Sequence, residues 1–147
     1  MNIATEEDFE RVKEIFYQHK EWFPHIRTDY MMRMIEEKQL ILDNDVIITF
    51  HHTKSKQTVG NIIVPKFSTI LHQIANGTQG KGNAREVLNR FFEYCSGNVY
   101  LTVRQDNLTA NKFYVNMGMI LIGETTWANG TLPGYVYVRN KFNRLSI

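Results

Sequence analysis

The sequence predicts an α/β (α+β) domain with a central, mostly antiparallel mixed sheet flanked by about four helices. Three observations predict it. Apolar spacing is helical as far as about Glu37, then gives way to short runs of Ile, Val and Thr between Leu40 and Ala75. Those runs follow one another across short polar links, the pattern of an antiparallel meander. Beyond them a glycine-bearing stretch joins a strand to an amphipathic helix.

The elements follow in order. Residues 1–4 are a short strand candidate. Thr5 before Glu6, Glu7 and Asp8 reads as a capping-box-like helix start, with acidic residues where the helix dipole favours them. Phe9, Val12, Ile15 and Phe16 continue at helical spacing to about Gln18, and Trp22-Phe23-Pro24 ends the run. A second helix begins near Thr28 or Asp29, with Tyr30, Met31, Met34 and Ile35 on one face. Strands are expected over 40–42, 46–52, 59–64 and 69–75, with Asn44-Asp45 at a hairpin tip. Val87, Leu88, Phe91, Phe92 and Cys95 form the apolar stripe of a helix that Gly97 stops from a C′ position. A strand over 99–103 precedes a helix capped by Asp106 or Asn107, which carries Ala110, Phe113, Tyr114 and Met117 and ends at Gly118. Residues 119–126 and 135–138 are the final strands, around Asn129-Gly130.

Bulk properties exclude several classes. A chain of 147 residues reads as one domain, 1–147, able to bury a core without disulfides or metals, and no metal is expected. No apolar run approaches the ~18 residues of a membrane span. The acidic N-terminus has no signal-peptide core, and Cys95 is the single cysteine, so a cytoplasmic location is expected. Cys95 sits on the apolar stripe and reads as core rather than nucleophile. A formal charge of +2 without a basic stripe gives no indication of nucleic acid. Lys54, Lys56 and Lys66 read as a solvated face.

The stretch Gln79-Gly80-Lys81-Gly82-Asn83-Ala84 carries chemistry. A glycine turn that opens a helix offers free N–H groups and the positive end of the dipole to an anion. Glycine there avoids a Cβ that would block the phosphates or forbid the required φ. Taken alone, the stretch fits either an ordinary loop or such an anion site. A Walker A loop fails because Gly82, not Ser or Thr, follows Lys81; a dinucleotide fingerprint fails because Arg85 stands where a third glycine belongs.

Gln79, Gly82 and Ala84 fit Q/R-x-x-G-x-G/A, and further on Asn107, Ala110, Phe113, Tyr114 and Gly118 fit N-x-x-A-x-x-F-Y-x-x-x-G-F, with Met119 in place of the last Phe. These two segments, in this order, resemble the coenzyme A signatures of the GNAT (GCN5-related) N-acetyltransferases. The element order resembles the fold of that family over nearly the full chain, and implies a sheet splayed between its fourth and fifth main strands.

The resemblance implies that acetyl-CoA is the co-substrate and that its acetyl group moves to a primary amine by direct attack in a ternary complex. Gln79, Gly80, Lys81, Gly82, Asn83 and Ala84 would hold the pyrophosphate, with Ile74, Asn107, Asn111 and Tyr114 also binding the cofactor. Lys81 can equally be a solvated lysine. An amine of reference pKa ~10.4 must lose a proton before it attacks, and the departing thiolate must gain one. Tyr114, at the tyrosine position of the family, is the candidate for the second task; from spacing alone it is also a core aromatic. His72, in the strand before the loop, is the candidate base, set against a histidine that simply meets solvent. His51 and His52 are weaker candidates. Trp22, Phe23, His25 and Arg27 occupy a stretch that shapes the acceptor site in the family, although Trp22 and Phe23 also suit a core plug. The acceptor can be a small molecule or a protein. A homodimer fits the resemblance, but the stretch from Tyr135 to Arg144 carries no interface code. The alternatives are a non-catalytic acyl-CoA-binding sensor or scaffold of the same fold, and a plain interaction domain.

Overall fold

A computed structural model describes residues 1–141; Phe142, Asn143 and Arg144, part of the stretch without an interface code, lie outside the described residues. The chain divides into two compact units. The first comprises Met1–His51 with His72–Phe91, and the second His52–Leu71 with the chain from Phe92 onward. The larger sheet is six-stranded and mixed, in the order β1-β2-β5-β6-β8-β7, where β1 is Leu40–Asp43, β2 Val46–His52, β5 Thr69–Asn76, β6 Val99–Arg104, β7 Ile120–Trp127 and β8 Leu132–Arg139.

In the first unit a 3-10 turn, Glu6–Asp8, leads into α1, Phe9–Gln18. The Asp8 carboxylate accepts the Thr5 N–H at 2.9 Å, which satisfies one donor that a helix start leaves open. Helix α2, Thr28–Glu36, ends in a Schellman turn: Lys38 takes φ +59°, and its N–H and that of Gln39 donate to Ile35 and Met34. The inward faces of α1 and α2 close a core of Val12, Ile15, Phe16, Met31, Met34, Ile35, Leu40, Leu42 and Ile47. Burying each large side chain there stabilises the unit by about 1.5–3 kcal/mol relative to exposure. The β1–β2 hairpin turns at Asn44 and Asp45, both at positive φ (49° and 64°), as a two-residue turn that matches strand twist requires. Residues 1–4 do not form a strand; Ile3 makes one isolated bridge to Ile41.

The second unit corrects the meander. Residues 59–64 are not one strand but the turn of a separate ribbon, β3 (Gln57–Val59) and β4 (Ile62–Val64). Gly60 breaks the run with φ +59°, and a Cβ there would strike the Glu124 carbonyl. The ribbon lays Val59, Ile62 and Val64 against Ile70, Tyr100 and Val138. In sheet order β2 is therefore followed by β5. Strand β5 runs parallel to β6 from Thr69↔Val99 to Leu71↔Leu101, and β6 is antiparallel to β8. Helix α3, Asn83–Tyr94, stops before the expected glycine, and Gly97 is not left-handed. Its need for glycine comes from the Phe67 carbonyl packed where a Cβ would stand. Cys95 is 1% exposed, and burial pushes its thiol up to about 11, the behaviour of a core residue. Helix α4, Leu108–Asn116, ends in a complete Schellman motif at Gly118 (φ +84°).

Candidate functional site

The glycine stretch is an open turn that leads into α3. Gly80 and Gly82 adopt φ +80° and +73°, conformations that an L side chain resists. A Cβ at either would meet nothing within 4 Å, so the backbone faces open space. The amides of residues 80–85 make no hydrogen bond among the described residues, and Glu86 N–H is the first of the helix to bond back, to Gly82. A run of outward donors at a helix N-terminus is what a pyrophosphate needs.

The turn is braced from below by residues that no motif marks. The Asp45 carboxylate accepts Arg11 Nε at 2.8 Å and the Thr78 hydroxyl at 2.7 Å, while its carbonyl accepts the Gly77 N–H at 2.8 Å. The Arg11 hydrogen bonds hold the Asp45 carboxyl below the usual carboxylate range. Asn83 Nδ2 donates to the Asn44 carbonyl at 3.2 Å. The hairpin tip visible in the sequence is therefore also the prop of the turn. Gln79 does not face the turn's open side with its amide; Nε2 donates to the Asn76 carbonyl at 3.0 Å. Lys81 and Arg85 are exposed beside the free amides.

Next to the turn, β5 carries His72, Gln73 and Ile74. His72 Nε2 lies 2.7 Å from His51 Nδ1 on β2. The crowding of the ring, and then the charge of the facing His51, lower the His72 pKa below the ordinary histidine value. The ring keeps solvent on one side, which softens the desolvation without changing its direction. Gln73 joins a polar cluster: its Oε1 accepts from Tyr30 at 2.9 Å and from the Thr49 hydroxyl, and Thr49 Oγ1 accepts its N–H at 3.0 Å. Ile74 is half-buried. In the loop before α2, Phe23 packs into the core edge-on to Phe16 (5.9 Å, 83°). Trp22 is half-buried, while His25 and Arg27 are exposed.

In the second unit, Tyr114 on α4 is 6% exposed, and burial, then Tyr137, raise its pKa, so the phenol keeps its proton at neutral pH. Its hydroxyl makes no hydrogen bond among the described residues. Because no enclosed side-chain N or O among them lacks a partner, that hydroxyl touches solvent. Asn107 caps α4, its Oδ1 accepting the Ala110 N–H at 3.2 Å. Asn111 spends its amide on structure: Nδ2 donates to Arg104 and Asn107 carbonyls, and Oδ1 accepts from Tyr137 at 2.8 Å. Among the described residues no group of three or more His, Cys, Asp or Glu could hold a metal, and no helix is long and apolar enough to cross a membrane.

Neither a protein-family model nor a curated protein sequence matches the chain. Solved structures match it nearly end to end. An acetyltransferase of the GNAT family from Bacillus cereus ATCC 10987 is 16% identical, with 95% of each chain covered and a TM-score of 0.73. Ard1 from Thermoplasma volcanium is 14% identical over 95% of each chain, also at 0.73. The yncA protein from Salmonella typhimurium, solved with its cofactor acetyl-CoA, is 14% identical, with 95% of this chain and 92% of that one covered and a TM-score of 0.68. At these identities the likeness establishes the fold: this chain has the GNAT acetyltransferase fold.

Proposed function

We propose that the protein is an acetyl-CoA-dependent N-acetyltransferase acting on a primary amine. The free amides of residues 80–85, beside two left-handed glycines with open space above them, carry the reading. They suit the coenzyme because each is an unspent donor at the positive end of α3. Acetyl-CoA would supply the activated thioester; the rest falls to the chain.

Gly80, Lys81, Gly82, Asn83 and Ala84 bind the pyrophosphate, with Gln79 fixing the start of the turn. Ile74 and Asn107 line the path of the cofactor, and Asn111 holds the Asn107 loop in shape. His72, neutral at pH 7, takes the proton of the incoming ammonium. Tyr114 holds a proton on a hydroxyl with no partner among the described residues, and gives it to the departing thiolate. His25 and Arg27 offer exposed side chains to the acceptor, with Trp22 and Phe23 setting the shape of their loop. A small molecule or a protein N-terminus or lysine would serve as acceptor, and a cytoplasmic location would supply both.

The test is an assay with acetyl-CoA and a panel of amines, read as free thiol. Acceptor-dependent thiol release is the expected result. Coenzyme binding without any release would instead favour a sensor or scaffold, and absence of binding would reject both.

A further inference from the structure

The two rings on β2 and β5 form a unit that the single-base reading does not use. Their centroids lie 4.9 Å apart and their planes differ by 23°. The N···N separation of 2.7 Å accounts for most of that distance. The rings therefore meet edge to edge and nearly coplanar, as an N–H···N bond requires, rather than face to face. Only one of the two facing nitrogens can carry a hydrogen, since two would collide. The pair therefore holds at most one positive charge in this geometry.

Each ring has two nitrogens, and the shared bond fixes what the outer one can do. If His51 donated, His72 would carry its hydrogen on Nδ1 and could take no proton there. If His72 donates, its Nδ1 is left as a lone pair on a solvent-exposed ring. We propose that His51 is the positioning partner of His72: it accepts the His72 Nε2–H at its own Nδ1, so that His72 offers Nδ1 as the basic nitrogen and the pair shares the proton drawn from the acceptor amine. This inference rests on the acetyltransferase reading above.

The step balances. One proton leaves the substrate ammonium and bonds to His72 Nδ1, as the Nε2 proton passes to His51 Nδ1. His72 ends neutral and His51 ends as the imidazolium. After the product departs, the proton returns by the same path and leaves from His72 Nδ1 to water. The charge that acts on the His72 ring is that of His51. Gln73 and Thr49 beside it are uncharged, and Tyr30 of α2 ends on Gln73.

Two measurements test the pair, and the first needs no activity. Nitrogen-15 NMR of histidine-labelled protein near pH 8, assigned with His51→Gln and His72→Gln, reads the tautomers directly. The expected spectrum has His72 protonated on Nε2 and bare on Nδ1; a hydrogen on Nδ1 would overturn the proposal. The second is the pH profile of kcat/KM. His51→Leu, which cannot accept the Nε2–H, should lose about tenfold or more with KM for acetyl-CoA unchanged. His51→Gln, which can accept but carries no charge, should recover part of that rate and move the acid limb to lower pH, because the proton is then left with the crowded His72 ring alone. Wild-type rates and profiles in both variants would overturn the proposal. A wild-type protein inactive with every amine would instead sink the acetyltransferase reading, and the tautomer result would stand apart from it.

Discussion

A phenol that is 6% exposed and yet has an unspent hydroxyl is the sharpest clue at the scale of single residues. Burial disfavours the phenolate, so Tyr114 keeps its proton across the neutral range. Tyr114→Phe keeps the ring and removes no protein hydrogen bond, so stability should change by less than about 0.5 kcal/mol. Turnover should nevertheless fall by about 10²- to 10⁴-fold. A loss well under tenfold in steady-state kcat would remove Tyr114 from the chemistry. His72 makes a different prediction, through stability. Its folded pKa lies below that of the unfolded chain, so the folded state favours the neutral ring. The contribution is fully present above about pH 6.5 and is lost as pH falls toward the lowered folded value. Chemical denaturation between pH 7 and pH 5 should show a smaller loss of stability for His72→Gln than for wild type; equal losses would mean that the ring is not constrained. The family resemblance, not spacing, offers both residues for these tasks. Spacing marks Tyr114 only as part of an aromatic stripe, and the His51–His72 contact joins residues 21 apart through a strand register that sequence does not encode.

At the scale of elements, the turn before α3 and the hairpin tip beneath it act together. Gly82 sits at φ +73° with clear space beyond, so Gly82→Ala meets no clash but must hold a left-handed alanine, at about 1–2 kcal/mol. The methyl group would also stand where phosphate oxygens are expected. KM for acetyl-CoA should therefore rise far more than kcat falls, and an unchanged KM would show that the turn does not face the cofactor. Asp45→Asn weakens the brace without touching the turn's open face. Its ion pair with Arg11 is only partly buried, so we expect about 1 kcal/mol of destabilisation by urea titration, with a smaller rise in the same KM. If stability falls and KM stays put, the brace is structural only. Legibility follows the physics of each element. The Asn44-Asp45 tip is readable because Asn and Asp tolerate left-handed φ, and the helices because their apolar faces repeat. The ribbon at residues 57–64 is not, since polar Gln57 and Thr58 hide its first strand and Val59 joins Ile62–Val64 in one apparent run across Gly60-Asn61. The Asp45 brace is hidden because Arg11, Asp45 and Thr78 are far apart in the chain and ordinary in type.

The whole molecule sets the last expectation. The unit boundary falls inside β5 and inside α3, so each of these elements contributes residues to both units. Calorimetry should therefore show one unfolding transition for residues 1–147, as the sequence reading of a single domain requires; two separated transitions would refute it. A ligand that binds only the folded state raises that transition. At 100 times its Kd the gain is about 2.7 kcal/mol, which for a chain of this size is roughly 5 to 11 °C. Fragments of the ligand then locate the source of the gain. If the amides of residues 80–85 supply the main attachment, coenzyme A and its adenosine diphosphate portion should both shift the melting temperature. Pantetheine, which lacks the pyrophosphate, should shift it little, and the response to the diphosphate should weaken in Gly82→Ala. Equal shifts from pantetheine and coenzyme A would move the attachment away from the glycine turn. No shift at millimolar coenzyme A would leave this chain with the fold of an acetyltransferase and without its coenzyme.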